Sequence, residues 1–359
     1  MAARIERMTG GNAYAGLTTR TEGGQTLWTG KIEIAPDSIW EQPLRWKRPR
    51  RIFVNSMSDM LHENVSDGLM FRFIDIVYRC PHHTFLVLTK RSARMRDFFA
   101  RWFDLTGENA SEFRDARGPN AVRKNHPSGR AAIFAAYLDE MLAAAGGTVP
   151  AGAAWPTFDW AGGPMYWGGF HNLWLGVSCE DQKAADARVP DLLETPAAVR
   201  FVSYEPALGP VDFTRIGAPI YTADDEGWTF SCLDTGDYYT CYEDDRPVDS
   251  GDGPWRDSRI DWIICGGESG PHARPMHPHW ARSVRDQCAA AGVPFFFKQH
   301  GEWLHMPERA HFKETFREPW RRVESGVDGV KYALMFRVGK KAAGRLLDGV
   351  EHSAFPTAR

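Results

Sequence analysis

Asp261-Trp-Ile-Ile-Cys-Gly-Gly-Glu-Ser269 is an apolar run that stops on two glycines and a carboxylate, and it is one of six runs built alike. The others are Ile52-Phe-Val-Asn-Ser-Met-Ser-Asp59, Thr84-Phe-Leu-Val-Leu-Thr-Lys-Arg91, Leu173-Trp-Leu-Gly-Val-Ser-Cys-Glu-Asp181, Val199-Arg-Phe-Val-Ser-Tyr-Glu-Pro206 and Val293-Pro-Phe-Phe-Phe-Lys-Gln299. Their apolar parts are near-continuous rather than alternating, as in strands buried on both faces of a parallel sheet. In such sheets the carboxyl ends of the strands line the ligand site. Those ends carry Asn55, Asp59, Thr89, Lys90, Arg91, Ser178, Glu180, Glu205, Glu268, Lys298 and Gln299. A sheet with only a structural role has no need of an acid, amide or base at the same end of every strand. The pattern is that of a site.

Helical periodicity lies between the runs. Ser66–Tyr78 places Leu69, Met70, Phe73, Ile74 and Val77 on one stripe, with Ser66 as N-cap. Ser92–Trp102 does the same with Met95, Phe98, Phe99 and Trp102. Asp181–Leu193 follows the third run, its second half expected to be irregular at Pro190. His279–Ala291 carries Trp280, Val284 and Cys288 and ends at Gly292, a good left-handed cap. Strand, helix, strand with short connections is the βαβ unit, which repeats into a barrel or an open doubly wound sheet. The fold class read here is α/β, a partial (β/α) barrel with a mostly parallel sheet. It occupies residues 1–302, with loop insertions at about 104–171 and 214–258 and an appendage at 303–359. The first insertion holds an expected helix at Ala131–Ala145 and an aromatic stretch, Trp155–Phe170; the second is acidic and rich in Gly, Asp and Tyr.

Hydrophobic residues make up 43% and charged residues 25% of the 359, ordinary values for a globular protein, and the formal charge of −3 gives no global attraction to nucleic acid or anionic membrane. The cysteines at 80, 179, 232, 241, 265 and 288 form no CxxC or CxxxCxxC, so no sequence-local metal motif is present. Cys80, Cys179, Cys265 and Cys288 read as small buried hydrophobes, while Cys232 and Cys241 lie in a polar stretch where they could pair. His82-His83 and His277 with His279 lack HExxH geometry. No stretch is long and apolar enough for a membrane span and no secretory leader is evident, so a cytoplasmic protein without a membrane role is expected.

Among the strand ends, Gly266-Gly267-Glu268 is the most site-like: glycines let backbone approach a ligand and Glu268 adds an acceptor, with a tight turn as the plain alternative. Lys90 and Arg91 place cations where a helix starts, against the dipole, which favours a nearby anion. Glu180 and Asp181 suit a helix N-terminus for stability alone, whereas Glu205, followed by Pro206, is free to hold a ribose diol or an amine. Glu205 with Lys298 could also act as acid and base in a metal-independent hydrolase or lyase. Lys298 and Gln299 close the last run. Arg45-Trp-Lys-Arg-Pro-Arg-Arg51 gathers five cations before the first strand and reads as solvated surface, with a non-catalytic module binding nucleic acid or a protein partner as the other reading.

The strings QPLRWKRPRRIFVNSMSDMLHENV, HHTFLVLTKRSARM, LWLGVSCEDQKAADARVPDLLETPAAVRFVSYEPALGPVD, DWIICGGESGPHARPMHPHWARSVRDQCAAAGVPFFFKQHGEW and RVGKKAAGRLLDG together resemble a phage-associated family of unknown function with a three-cysteine motif like that of radical S-adenosylmethionine enzymes. The resemblance implies a radical S-adenosylmethionine type of partial barrel and S-adenosylmethionine with a [4Fe–4S] cluster as cofactors. With that cofactor at the strand ends, the strand-end residues Asn55, Asp59, Ser178, Glu180, Glu205, Gly266, Gly267 and Glu268 would surround it. Lys90, Arg91, Lys298 and Gln299 would face an anionic substrate, and a co-encoded protein or nucleic acid is an implied partner. Family members carry the cysteines on a loop that continues into a helix. The opening Met1-Ala-Ala-Arg-Ile-Glu-Arg-Met8 resembles that helix, so the cluster ligands are expected to be absent from the chain as written, with no metal ligand assigned here.

Overall fold

The computed structural model describes residues 16–20, 26–55, 58–104, 171–195, 197–217, 229–233, 240–243, 246–249, 259–305 and 320–357. The expected helix at Ala131–Ala145 and the Trp155–Phe170 stretch lie outside them. All six apolar runs form strands: β1 (Arg51–Val54), β2 (Thr84–Thr89), β3 (Leu173–Ser178), β4 (Val199–Tyr204), β5 (Trp262–Gly266) and β6 (Phe295–Gln299). The sheet order is β6-β5-β4-β3-β2-β1, and each described pairing is parallel. The class is mixed α/β on a six-stranded parallel sheet. A doubly wound sheet would reverse its strand order part-way. Here the order is strictly sequential, the winding of a partial (β/α) barrel, which settles the alternative left open by the sequence.

Two compact units divide the chain, one of Met1–Val87 with Arg101–Tyr166 and one of Leu88–Ala100 with Trp167–Arg359. In the first, β1 pairs with β2 and helix α1 (Asp67–Arg79) lies between them in sequence. The Ser66 hydroxyl accepts from the Leu69 N–H at 3.2 Å, the expected N-cap, and Met70, Phe73, Ile74 and Val77 are buried.

The second unit holds β3 to β6. Every residue of β3 is buried, consistent with its continuous apolar run. Gly176 of β3 is opposite Phe201 of β4, and a Cβ at 176 would lie 2.6 Å from the Phe201 ring, so the glycine makes room for it. Helix α2 (Ser92–Asp104) buries Met95, Phe98 and Phe99, and α3 (Gln182–Glu194) buries Ala185, Val189, Leu192 and Leu193. The expected irregularity at Pro190 does not occur. The helix runs through it, because the ring is one of the apolar groups that α3 buries, and burial of this face offsets the one missing N–H. Helix α4 (Pro278–Ala291) buries Trp280, Val284 and Cys288 and ends at Gly292 with φ +66°.

The described residues within 214–258 contain more order than their composition suggests. Ile216–Gly217, Thr229–Phe230, Thr240–Glu243 and Arg246–Asp249 form a four-stranded antiparallel sheet, with Ile216 and Phe230 fully buried. Strands of two to four residues leave no readable period. Cys232 is buried and its thiol donates to the Phe213 carbonyl at 3.2 Å. The C-terminal residues add β7 (Trp303–His305), β8 (Trp320–Val323) and β9 (Ala333–Arg337), antiparallel in the order β7-β9-β8. A final hairpin, Leu346–Leu347 with Val350–Glu351, turns on Asp348 and Gly349, both at positive φ (54° and 81°) as a two-residue hairpin turn requires. Beyond it the chain guards the exposed edge of the sheet. His352 O accepts from Phe297 N–H at 2.9 Å, Ser353 bridges Phe296, and the Trp262 indole donates to Ala354 O at 2.9 Å.

Candidate functional site

The site is built where β3, β4, β5 and β6 end, and each loop there is tied to its neighbour. The Cys179 N–H donates to Ser203 O at 2.9 Å, Leu208 N–H to Glu180 O at 2.8 Å, Ala207 N–H to Gly266 O at 3.0 Å and Gly267 N–H to Gln299 O at 2.9 Å. This lattice fixes three glutamates, one at each of three successive strand ends, and each is held by a cation, from another element for Glu180 and Glu205 and from the same loop for Glu268.

Glu180 follows β3. Lys90 Nζ, from the end of β2, donates to its Oε1, and Arg188 Nη1 of α3 reaches Oε2 at 2.9 Å. Arg188 also donates to Ser178 O at 2.5 Å. Asp181 is the residue that caps α3, accepting from Ala184 N–H at 2.9 Å, so the neighbouring acids divide the work: one stabilises the helix and the other faces the cations. The anion that a lysine beside a helix start calls for is therefore Glu180. Burial pulls the Lys90 ammonium below its ordinary range, and the Arg188 and Arg274 cations add to the effect. Arg91 contributes backbone here, its N–H donating to Thr89 Oγ1 at 2.9 Å and its carbonyl accepting from Met95 N–H at 3.1 Å.

Glu205 follows β4. Its Oε2 accepts from Lys298 Nζ of β6 at 2.9 Å and from Ser203 Oγ at 3.4 Å, while Ser178 Oγ donates to its carbonyl at 3.2 Å. The two residues singled out as an acid–base pair are thus in contact. Glu268, after β5, takes a bidentate grip from Arg274, with Nε to Oε2 at 2.8 Å and Nη2 to Oε1 at 3.0 Å, and the Arg274 N–H adds a third bond at 2.8 Å. That guanidinium holds the Glu268 carboxyl below the usual carboxylate range. Lys90, Lys298 and Arg274 are each more than half exposed at their side chains, so these cations can exchange partners.

The glycines of the β5 loop make room for protein groups. A Cβ at Gly266 would lie 2.3 Å from Glu205 Oε1, and one at Gly267 would lie 2.0 Å from His300 O. Gln299 is occupied in the same frame, its Nε2 donating to Gly267 O at 3.1 Å. Asn55 and Asp59 belong to the first unit. Asn55 has φ +64° and its Nδ2 donates to Met60 Sδ at 3.5 Å, while Asp59 Oδ1 accepts from Leu61 N–H at 2.9 Å; both build the turn after β1. The Arg45–Arg51 patch, also in the first unit, runs up to the first residue of β1, with Arg50 stacked on Trp46 at 4.3 Å and Arg45 donating to Ser38 O at 2.6 Å.

Arg188 and Arg274 escaped the sequence reading. Arg274 lies six residues after Glu268 in the same loop, and an unmatched cation so close to a glycine-flanked acid was the available signal. Arg188 is one more polar residue of a helix until the backbone brings it over Glu180. A cleft of about 530 Å³ adjoins Arg274, with Leu208, Pro210, Trp280, Arg322 and Ser325 in its lining.

Residues 1–356 match the family model described as Protein of unknown function (DUF5131). The chain belongs to that family. No curated protein and no solved structure matches it. Among the described residues of this DUF5131 member, no helix is long and apolar enough to cross a membrane.

Proposed function

We propose that this chain binds a small zwitterionic ligand of the S-adenosylmethionine type at the ends of β3 to β6. The observation that carries the reading is the set of three strand-end glutamates, each paired to a half-exposed cation, from another segment for Glu180 and Glu205 and from the same loop for Glu268. A ligand with an ammonium, a carboxylate and a ribose diol needs both signs of charge within one small area. Glu180 and Glu205 would accept from the ammonium and the diol. Lys90, Lys298 and Arg274 would meet the carboxylate. Exchanging one ion-pair partner for a ligand group of the same sign leaves no carboxylate uncompensated. The resemblance to phage-associated radical S-adenosylmethionine-like proteins supports the same ligand class.

A [4Fe–4S] cluster is a different case, since it needs three thiolates on one loop. Cys179, Cys265 and Cys288 are fully buried, and burial keeps their thiols protonated, pushing Cys179 and Cys288 up to about 12. No three His, Cys, Asp or Glu residues are grouped to hold a metal ion among the described residues. The described residues do not fit the cluster, and the function proposed here is the binding of the ligand.

Thermal unfolding in rising concentrations of S-adenosylmethionine, and separately of S-adenosylhomocysteine, tests the proposal. A bound ligand raises stability by about 2.7 kcal/mol at a hundredfold excess over Kd. An unfolding midpoint that neither compound moves at millimolar concentration would eliminate it.

A further inference from the structure

The antiparallel sheet of β7, β8 and β9 has two unlike faces. Register pairs Trp320 with Phe336, Arg322 with Leu334 and Leu304 with Phe336, so these side chains share one face. Ala333, Met335 and Trp303 occupy the other and pack with Ala273 in a buried cluster. Along β9 burial alternates accordingly, with Ala333 and Met335 buried and Leu334 and Phe336 only partly so. The outward face leaves Trp320 at the edge of the sheet 46% exposed, and Tyr332, just before β9, 38% exposed. The Arg322 guanidinium is stacked on the Tyr332 ring at 3.9 Å and fixed by Glu324, whose Oε1 accepts from Nε at 2.7 Å. Arg321, opposite Met335, and Arg337, opposite Trp303, belong to the other face, where both are placed over the Trp303 ring at 6.0 Å. Between Trp320 and Lys341 the sequence carries six cations (Arg321, Arg322, Lys331, Arg337, Lys340 and Lys341) against two acids, Glu324 and Asp328, in a chain of net charge −3.

Exposed aromatic rings on a sheet face, Trp320 and Tyr332, beside an arginine held flat against one of them, suit bases joined by phosphates. We propose that the outward face of the β7–β9 sheet binds single-stranded nucleic acid. Trp320 stacks on a base, and Arg322, whose orientation Tyr332 and Glu324 fix, meets a phosphate. A duplex hides its base faces and offers nothing for Trp320 to stack on. This proposal does not depend on the ligand proposed for the strand ends.

Fluorescence anisotropy with labelled single-stranded RNA and DNA of mixed sequence, about a dozen nucleotides long, and with a duplex of the same sequence, tests it on the full chain. The expected result is binding of one or both single strands that weakens as salt rises, with the duplex bound less tightly. Trp320→Ala and Arg322→Ala should each weaken it by about tenfold, with unchanged circular dichroism, because both side chains are exposed. Arg48→Ala with Arg50→Ala, in the other unit, should leave it intact. No binding at 50 mM salt or below (roughly the low end of the usual salt range) overturns the proposal. So does equal binding by the Trp320 and Arg322 variants, a preference for duplex, or loss confined to the Arg48/Arg50 variant.

Discussion

Gly266→Ala probes whether the glycine is there to admit the Glu205 carboxylate. The new Cβ would lie 2.3 Å from Glu205 Oε1, 3.1 Å from its Cδ and 3.3 Å from its Cγ, where ordinary contact begins at 3.4 Å. The carboxylate must therefore retreat by about 1 Å, which turns it away from Lys298 Nζ, now 2.9 Å from the other oxygen. Overpacking of this kind costs about 1–3 kcal/mol. Losing an ion pair whose lysine is half exposed adds at most about 1 kcal/mol after screening. Replacing glycine by alanine stiffens the unfolded chain and returns about 0.4–1 kcal/mol. The net expectation is a destabilisation of about 1–3 kcal/mol, read from denaturant unfolding at constant m. The decisive assay is the double-mutant cycle with Glu205→Ala. Once the carboxylate is gone the added methyl has space, so the two changes should couple by about 1–2 kcal/mol in the stabilising direction. Strictly additive effects, or a Gly266→Ala variant as stable as the parent, would refute the reasoning.

Two further predictions concern other parts of the molecule. Asp348 accepts two bonds from Arg282 (2.8 and 2.6 Å) on Oδ1 and one from Arg285 (2.7 Å) on Oδ2, which hold its carboxyl down at about 2 against an ordinary 3.8. A depressed carboxyl contributes stability above its unfolded value, and that contribution fades as pH falls from about 3.8 through about 2. Asp348→Asn keeps a residue that tolerates the positive φ and should cost about 1 kcal/mol at pH 7, the carboxylate being a third exposed, with the difference from the parent shrinking below pH 3.8 and vanishing only below about pH 2. Equal stability of the two proteins at pH 7, in unfolding curves measured across pH, would count against the clamp. Cys179, Cys265 and Cys288 should resist thiol reagents at pH 8 in the native protein and react in urea, since burial keeps all three protonated; rapid labelling of native Cys179, located by peptide mapping, would contradict that.

Much of this fold is legible in the sequence, for a physical reason. A strand buried on both faces must be apolar throughout, so LWLGV and VRFVSY announce themselves, and the caps at Ser66 and Gly292 follow from the local chemistry of helix ends. The site is legible to the level of which strand ends are polar. What each polar group touches is not. Glu180 and Asp181 are adjacent and chemically alike, yet one is a cap and the other a partner of Lys90, a division set by where α3 presents Arg188. The glycines at 266 and 267 read as room for a ligand, but their neighbours are the Glu205 carboxylate and the His300 carbonyl, contacts between segments over thirty residues apart. Pro190 misled for a related reason: the penalty of a proline in a helix is local, whereas the burial that outweighs it comes from the sheet.

The measurement that bears most directly on the strand-end glutamates is a calorimetric titration of S-adenosylmethionine into the parent protein and into Glu180→Gln and Glu205→Gln. Each substitution removes one carboxylate charge and preserves shape, so saturable binding to the parent should weaken at least about tenfold in both variants, the worth of one charge-assisted hydrogen bond. Binding of equal strength in all three proteins, or no heat of binding to the parent, would contradict the assignment of the site.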